Sequence, residues 1–267
     1  MMQPPSNPAA TLLAVEGLHK SFGAVAAVAG VSFAVAAGEM VALIGPNGAG
    51  KSTCFNIISG QLKPDSGGVL FEGQSLGGLS SRAIWRLGIS RTFQVAATFA
   101  TLSVLENVQM ALLSRGRQHY ALSARIMRRH QDEAIELLTQ VGMQQQAGRV
   151  CGILAYGDIK RVELAVALAN APKLLLMDEP TAGMAPGERQ DLMALTRRLV
   201  KERGMGVLFT EHSMDVVFGY ADQIVVLARG VVIAAGDGDA ILSDEKVQRA
   251  YLGRSKSSSK KTAVPRR

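Results

Sequence analysis

Residues 45–52 read GPNGAGKS. The spacing G-x-x-x-x-G-K-[ST] is that of a loop that wraps phosphate oxygens. Gly45, Gly48 and Gly50 let the backbone fold close to an anion with its N–H groups turned inward, and Pro46, Asn47 and Ala49 complete the loop. Lys51 sets a cation on β- and γ-phosphates, and the Ser52 hydroxyl is a ligand for Mg2+. The start of a following helix adds a favourable dipole.

Residues 177–180 read MDEP, directly after an unbroken apolar run. Acids at the carboxyl end of a parallel strand face the same edge as the phosphate loop. Asp178 is the candidate Mg2+ partner, through water, and Glu179 is placed to orient or deprotonate a water that attacks the γ-phosphate. Two single residues join them. Gln94 has an amide that can reach a metal shell, and His212 stands just past a buried strand, within reach of a γ-phosphate. Taken alone, a glutamine is an ordinary surface residue and a histidine there an ordinary cap.

These residues need elements to hold them. Residues 38–45, GEMVALIG, predict a short strand entering the loop, and a helix follows over 52–59. Residues 66–75 read as a hairpin around Gly67 and Gly73, and 104–142 as helical, with Val104, Leu105, Val108, Leu112 and Leu113 on one stripe. Residues 173–177, KLLLM, predict a central parallel strand, 186–202 a helix and 206–209 another buried strand. Residues 224–227 and 231–234 read as a hairpin. The stretch 23–38 carries no charge; it is too short to span a bilayer, and Val31, Phe33 and Val35 alternate with Ser32 and Ala34, so it reads as buried β-structure. Residues 154–161, LAYGDIKR, read as a turn, with an amphipathic helix running from Arg161 to Leu168. Strands alternating with helices predict an α/β fold with a β-rich start and a helical insertion. No solenoid repeat is present.

Length and composition set bounds. The 267 residues are 48% hydrophobic, enough core for one large domain or two small ones. The formal charge is +7, but residues 254–267, RSKSSSKKTAVPRR, hold six basic residues and no acid, which leaves +1 for the body. The basic balance therefore belongs to a tail and does not make the body a nucleic-acid binder. The tail lacks an apolar period and is expected to be disordered; it reads as a solubilising segment, with anionic lipid headgroups or RNA as the other partners such charge suits. Cys54 and Cys151 match no metal or redox spacing and point to a reducing compartment. The opening MMQPPSNPAA lacks the basic and apolar regions of a signal peptide.

The order GPNGAGKS, TFQ, LAYGDIKRVELA, LLLMDEP and TEHSMD resembles that of the ATP-binding subunits of ABC transporters, over residues 12–253. Within them it is most similar to the branched-chain (hydrophobic) amino acid uptake group, on SRTFQ, LAYGD, DEPTAGMAP, EHSMDVVFGYAD and QRAYLG. The resemblance implies a P-loop NTPase fold of the ABC type, with an antiparallel β subdomain and a helical subdomain near 95–165; residues 1–11 and the tail outside it are expected to be disordered. It implies that Gly45, Gly48, Gly50, Lys51, Ser52 and Thr53 bind ATP phosphates, that Ser52 and Gln94 meet Mg2+ with support from Asp178, and that Glu179 is the catalytic carboxylate. His212 would be the switch histidine and Phe22 the ring that stacks on adenine. Two such subunits would sandwich two ATP molecules, with Leu154, Ala155, Tyr156, Gly157 and Asp158 forming the signature that faces ATP on the other chain. The implied partners are a second ATP-binding subunit, integral membrane permease subunits with loops docked near Gln94, and an external solute-binding protein; no nucleic acid is implied. The implied location is the cytoplasmic face of the inner membrane, as a peripheral subunit.

The family signature is LSGGQ, and here Ala155, Tyr156 and Asp158 replace its Ser, first Gly and Gln. Ala155 cannot donate to a γ-phosphate, and Tyr156 makes a positive φ costly. Ala185 stands where the loop after the acids often ends in Asp, and Val166 where Arg is common. Ser, first Gly and loop Asp all serve the opposite site or the dimer seam. The expectation is an asymmetric heterodimer in which this chain's own phosphate loop lies in the complete site; the alternative is that LAYGD works through backbone N–H groups alone. A non-transport ABC ATPase of translation or DNA repair would show tandem cassettes, Cys clusters or a long coiled coil, and a P-loop kinase would lack the signature.

Overall fold

The computed structural model describes residues 11–92, 98–115 and 130–251, with the side chains of 250 and 251 excepted. Gln94, the basic tail and residues 1–10 lie outside the described residues; Thr11, expected to be disordered, is the first residue of β1.

Two sheets make the frame. β1 (Thr11–Phe22), β2 (Val25–Ala36), β4 (Ser66–Phe71) and β5 (Gln74–Ser75) form a sheet of order β2-β1-β4-β5, antiparallel throughout. The second sheet has the order β10-β9-β3-β8-β7-β6. Its strands are β3 (Met40–Ile44), β6 (Ile89–Thr92), β7 (Leu174–Asp178), β8 (Gly206–Thr210), β9 (Gln223–Ala228) and β10 (Val231–Gly236). All pairs in it are parallel except β9 with β10.

The parallel strands are apolar on both faces because both faces are covered. Within β3, Met40, Ala42 and Ile44 enter one core while Val41 and Leu43 enter another. Within β7, Leu175 and Met177 divide from Leu174 and Leu176 in the same way. This period of two places helices on one side. α3 (Val104–Arg115), α4 (Gln131–Gln140), α5 (Tyr156–Leu168) and α6 (Pro186–Arg203) share the first core. α1 (Lys51–Ile58), α2 (Ser81–Arg86) and the antiparallel sheet share the second. Truncating a fully buried leucine here, such as Leu175, costs about 2–5 kcal/mol.

Local chemistry sets the boundaries. α6 starts with Pro186, whose missing N–H costs nothing in the first turn, and stops at Gly204 with φ 65°. α7 (Met214–Tyr220), α8 (Gly238–Ser243) and α9 (Glu245–Tyr251) finish the chain.

Four sequence expectations are adjusted. The helix after the phosphate loop begins one residue earlier, at Lys51. β2 is buried only at Val28, Val31 and Val35, and Val25 is 67% exposed, because the strand lies in a sheet with one open face. Of the two glycines expected to shape the 66–75 hairpin, only Gly73 lies in its turn. Gly67 sits inside β4, where a Cβ would come 2.1 Å from the Gly17 carbonyl oxygen. The fourth change bears on the site: α5 begins at Tyr156 rather than Arg161, because Ala155 already has the extended backbone of an N-cap. Among the described residues no helix is long and apolar enough to cross a membrane.

Candidate active site

Strands β3, β6, β7 and β8 all deliver their carboxyl ends to one edge of the parallel sheet, and the chemistry collects there. From β3 the chain enters the phosphate loop. A Cβ on Gly45 would meet the Leu227 carbonyl oxygen at 2.3 Å, and one on Gly50 the Ala27 carbonyl oxygen at 2.4 Å. The loop is thus pressed against β9 on one side and β2 on the other, and only glycine permits both approaches. Pro46, Asn47 and Gly48 form its exposed tip, Ala49 packs inward, and α1 begins beyond Gly50 with no side-chain cap. Its first N–H groups are therefore offered to a ligand. Ser52 is exposed and Thr53 half-buried in that first turn.

Lys51 is 7% exposed, and its ammonium donates to the carbonyls of Gly45 at 2.6 Å and Pro46 at 3.2 Å. Burial pulls its pKa below the ordinary lysine value, while the charges of Glu179 and Asp178 pull it back up. The lysine and the two acids therefore share one electrostatic neighbourhood.

At the end of β7 both oxygens of Asp178 are held. Thr210 donates its hydroxyl to Oδ1 at 2.8 Å, and Arg91 donates Nη2–H to Oδ2 at 2.9 Å. Glu179 follows with φ 47°, a conformation that costs a non-glycine residue about 1–3 kcal/mol. Its N–H is fixed by the Thr210 carbonyl at 3.2 Å and the Thr210 hydroxyl at 3.0 Å. Its carboxylate Oε1 lies 3.0 Å from His212 Nε2. The structure thus brings Lys51, Asp178, Glu179 and His212 to one place.

Two residues of the site went unnoticed in the sequence. Glu211 is 2% exposed and accepts four bonds: from Thr181 N–H at 3.0 Å and Thr181 Oγ1–H at 2.5 Å, and from the N–H groups of His212 at 3.0 Å and Ser213 at 3.3 Å. It clamps the loop after Glu179 to the loop that carries His212. Arg91 is the other, as the partner of Asp178. Each sits beside a recognised motif, in TEH and in SRTFQ, and nothing but that adjacency marks it in the sequence.

The signature residues contact the loop that follows Glu179. Leu154 is buried, and Ala155 is the N-cap of α5 with no side-chain bond to give. Tyr156 is helical, so the positive φ expected to strain it does not arise. Its ring lies against Gly183, where a Cβ would be 3.6 Å from it, and the Lys160 ammonium stands 5.4 Å from the ring centre. Gly157 is buried, with room only for hydrogen: a Cβ would sit 3.1 Å from Glu188 Oε1. Glu188 in turn accepts the Ala185 N–H at 3.1 Å, half of a capping box that alanine cannot complete. Asp158 is half-buried in the first turn. Phe22 is 53% exposed at the end of the β1–β2 hairpin, the Lys20 ammonium 5.9 Å from its ring centre.

The donor set suits Mg2+. A hydroxyl at Ser52 and one carboxylate at Asp178 are hard oxygen donors, and among the described residues no group of three His, Cys, Asp or Glu side chains forms a metal cage. Mg2+ takes one or two carboxylates and completes its shell with phosphate and water.

Comparison with known proteins agrees with this geometry. The sequence profile of the ABC transporter family matches residues 28–182. The chain is 39% identical, over 249 residues, to the high-affinity branched-chain amino acid transport ATP-binding protein LivG of Escherichia coli (strain K12), covering 91% of this chain and 98% of that protein. The ADP conformation of MJ1267, an ATP-binding cassette of an ABC transporter, matches with a TM-score of 0.81 at 34% identity, over 91% of this chain and 99% of that one. A dimeric post-hydrolysis state of the cassette MJ0796 bound to ADP and Pi matches with a TM-score of 0.72 at 27% identity, over 84% and 98%. The P-loop core, the acid pair and these relatives place the chain in the ABC transporter family, among its ATP-binding cassettes.

Proposed function

We propose that this chain is the ATP-hydrolysing subunit of an ABC importer for branched-chain or other hydrophobic amino acids. The observation that carries the reading is the contact of His212 with Glu179 beside Lys51 at the carboxyl edge of the parallel sheet. In this reading Lys51 and the N–H groups of α1 hold the β- and γ-phosphates of ATP. Glu179 takes a proton from the attacking water, and His212 holds that carboxylate in place. Ser52, Asp178 (through water) and Gln94 would hold Mg2+, which would offset charge on the phosphate oxygens. Phe22 supplies a face for adenine.

Hydrolysis does work only if it moves something. A groove of about 720 Å³ opens beside the site, between the turn after α1, α2, β6, α3 and α5, with Trp85, Ala111, Glu163, Val166 and Ala167 on its walls. It is the seat we assign to a permease loop, and Val166 there replaces a common arginine with apolar surface. An external solute-binding protein would feed the permease from the other side. The chain would then work at the cytoplasmic face of the inner membrane.

The second ATP-binding subunit is unlike this one in our reading. Ala155 and Ala185 lack the groups that reach a partner's site, whereas the phosphate loop of this chain is intact. The complete site would be the one holding this phosphate loop.

The test is uptake by the reconstituted transporter with labelled leucine, isoleucine and valine beside a panel of other solutes. Wild type should take up the branched-chain set, and Glu179→Gln should lose uptake and ATP hydrolysis together. Glu179→Gln and the matching change in the partner should differ in severity; equal losses would remove the asymmetry. Purification with ribosomes or DNA in place of a polytopic membrane protein would overturn the importer reading.

A further inference from the structure

We infer that Arg91 is a positioning residue that couples the groove to Asp178, the carboxylate that supports the metal. The inference rests on the groove being the permease seat. Arg91 lies on the edge strand β6, paired with Leu176 of β7. Its side chain is 11% exposed. Nη1 donates to Asn56 Oδ1 at 2.8 Å, Ser59 Oγ at 3.2 Å and Gln61 Oε1 at 3.4 Å. Nη2 donates to Asp178 Oδ2 at 2.9 Å. The guanidinium carbon sits 5.6 Å from the centre of the Phe55 ring.

One rigid, planar group thus has one nitrogen on oxygens at the end of α1 and the other on the acid of the nucleotide site. Ser59, Gln61 and Arg91 are also part of the groove wall. A segment that seats in the groove presses on the same side chains that orient the guanidinium. Displacing those side chains moves the guanidinium bonded to them. Any such movement shifts or releases Asp178 Oδ2, while Thr210 keeps Oδ1 fixed. The carboxylate then turns about a held oxygen, and its offer to the metal shell changes.

A lysine could not replace this function, because an ammonium is a point charge without the fork that spans both partners. The competing view is that Arg91 only glues α1 to β7. Glue would alter stability, but it would not make metal affinity depend on assembly.

The experiment measures Mn2+ binding, as a paramagnetic stand-in for Mg2+, to the ATP-loaded full chain. It is measured alone and in the complex purified with its polytopic membrane partner. In wild type, assembly should shift the apparent Mn2+ affinity by about 5-fold or more. In assembled Arg91→Lys the shift should vanish, and in Asn56→Ala, which cuts the tether to α1 but spares Arg91 and Asp178, it should shrink. Should Arg91→Lys fail to assemble, Asn56→Ala decides: an undiminished shift overturns the inference. So does a full shift in assembled Arg91→Lys, or the lack of any shift in assembled wild type. Failure of wild type to purify with a membrane partner would instead overturn the importer reading.

Discussion

His212 Nε2 lies 3.0 Å from Glu179 Oε1, and Glu179 is one of four non-glycine residues with a positive φ among the described residues. The strained backbone fixes where the carboxylate starts, and the imidazole fixes where it points. Glu179→Gln should lower kcat for ATP hydrolysis by about 10²–10⁴-fold with little change in KM, since the amide keeps the shape but cannot take a proton. His212→Ala should lower kcat by a smaller factor. The double variant should be no slower than Glu179→Gln, because the histidine acts through the glutamate. Additive losses would separate the two residues.

Glu211 is a buried carboxylate held, among the described residues, by four neutral donors and no cation. Glu211→Gln turns an acceptor into a donor that faces either Thr181 or the N–H groups of His212 and Ser213. That leaves buried donors unmatched, at about 1–3 kcal/mol. Thermal melts should show a drop of several degrees, and kcat should fall while KM for ATP holds, since the phosphate loop is untouched. Thr181→Val, which removes only one hydroxyl, should be intermediate. A Glu211→Gln variant with normal melting and normal kcat would show that the clamp is dispensable.

Much of this site was legible because its motifs report the backbone. GPNGAGKS needs a strand before it and a helix after it, and β3 and α1 supply both. KLLLM is apolar at every buried position because β7 is covered on both faces, so a simple run sufficed. Tyr156 was harder. Its cost was expected from a family loop geometry, but the helix starts one turn earlier and takes it in. Arg91 and Glu211 were invisible for a different reason. Their importance lies in partners 87 and 30 residues away, and no local period encodes such a distance.

Burial pushes the Cys54 thiol from 9.0 up to about 12. A raised value in the folded state means the folded chain keeps its proton where the unfolded chain loses it. The stabilisation is complete below the ordinary thiol value and is lost as pH rises from 9.0 towards about 12. Cys54→Ala should therefore flatten the fall in stability over that window, read from denaturant melts at stepped pH. Native protein should also resist alkylation at Cys54 near neutral pH, since the thiolate is the reactive form. Rapid labelling of Cys54 without unfolding would contradict its burial.

Ala155 occupies an N-cap and has no side-chain bond to offer. Ala155→Ser tests two separate effects of one hydroxyl. Its oxygen can accept an N–H in the first turn of α5, which should stabilise the isolated chain by about 0.5–2 kcal/mol and raise its melting temperature by a few degrees. Its proton is still free to donate, because a hydroxyl is donor and acceptor at once. In the heterodimer proposed above, that proton would reach the γ-phosphate held by the partner. A hydrogen bond to a charged group contributes about 1.5–3 kcal/mol, so ATP affinity at the partner's site should rise by about 10- to 100-fold. Nucleotide titrations with Lys51→Met in this chain would isolate that site. A higher melting temperature without tighter ATP binding would mean that the N–H groups of Tyr156, Gly157 and Asp158 already saturate the phosphate. The two sites would then be matched, and the case for asymmetry would rest on Ala185 alone.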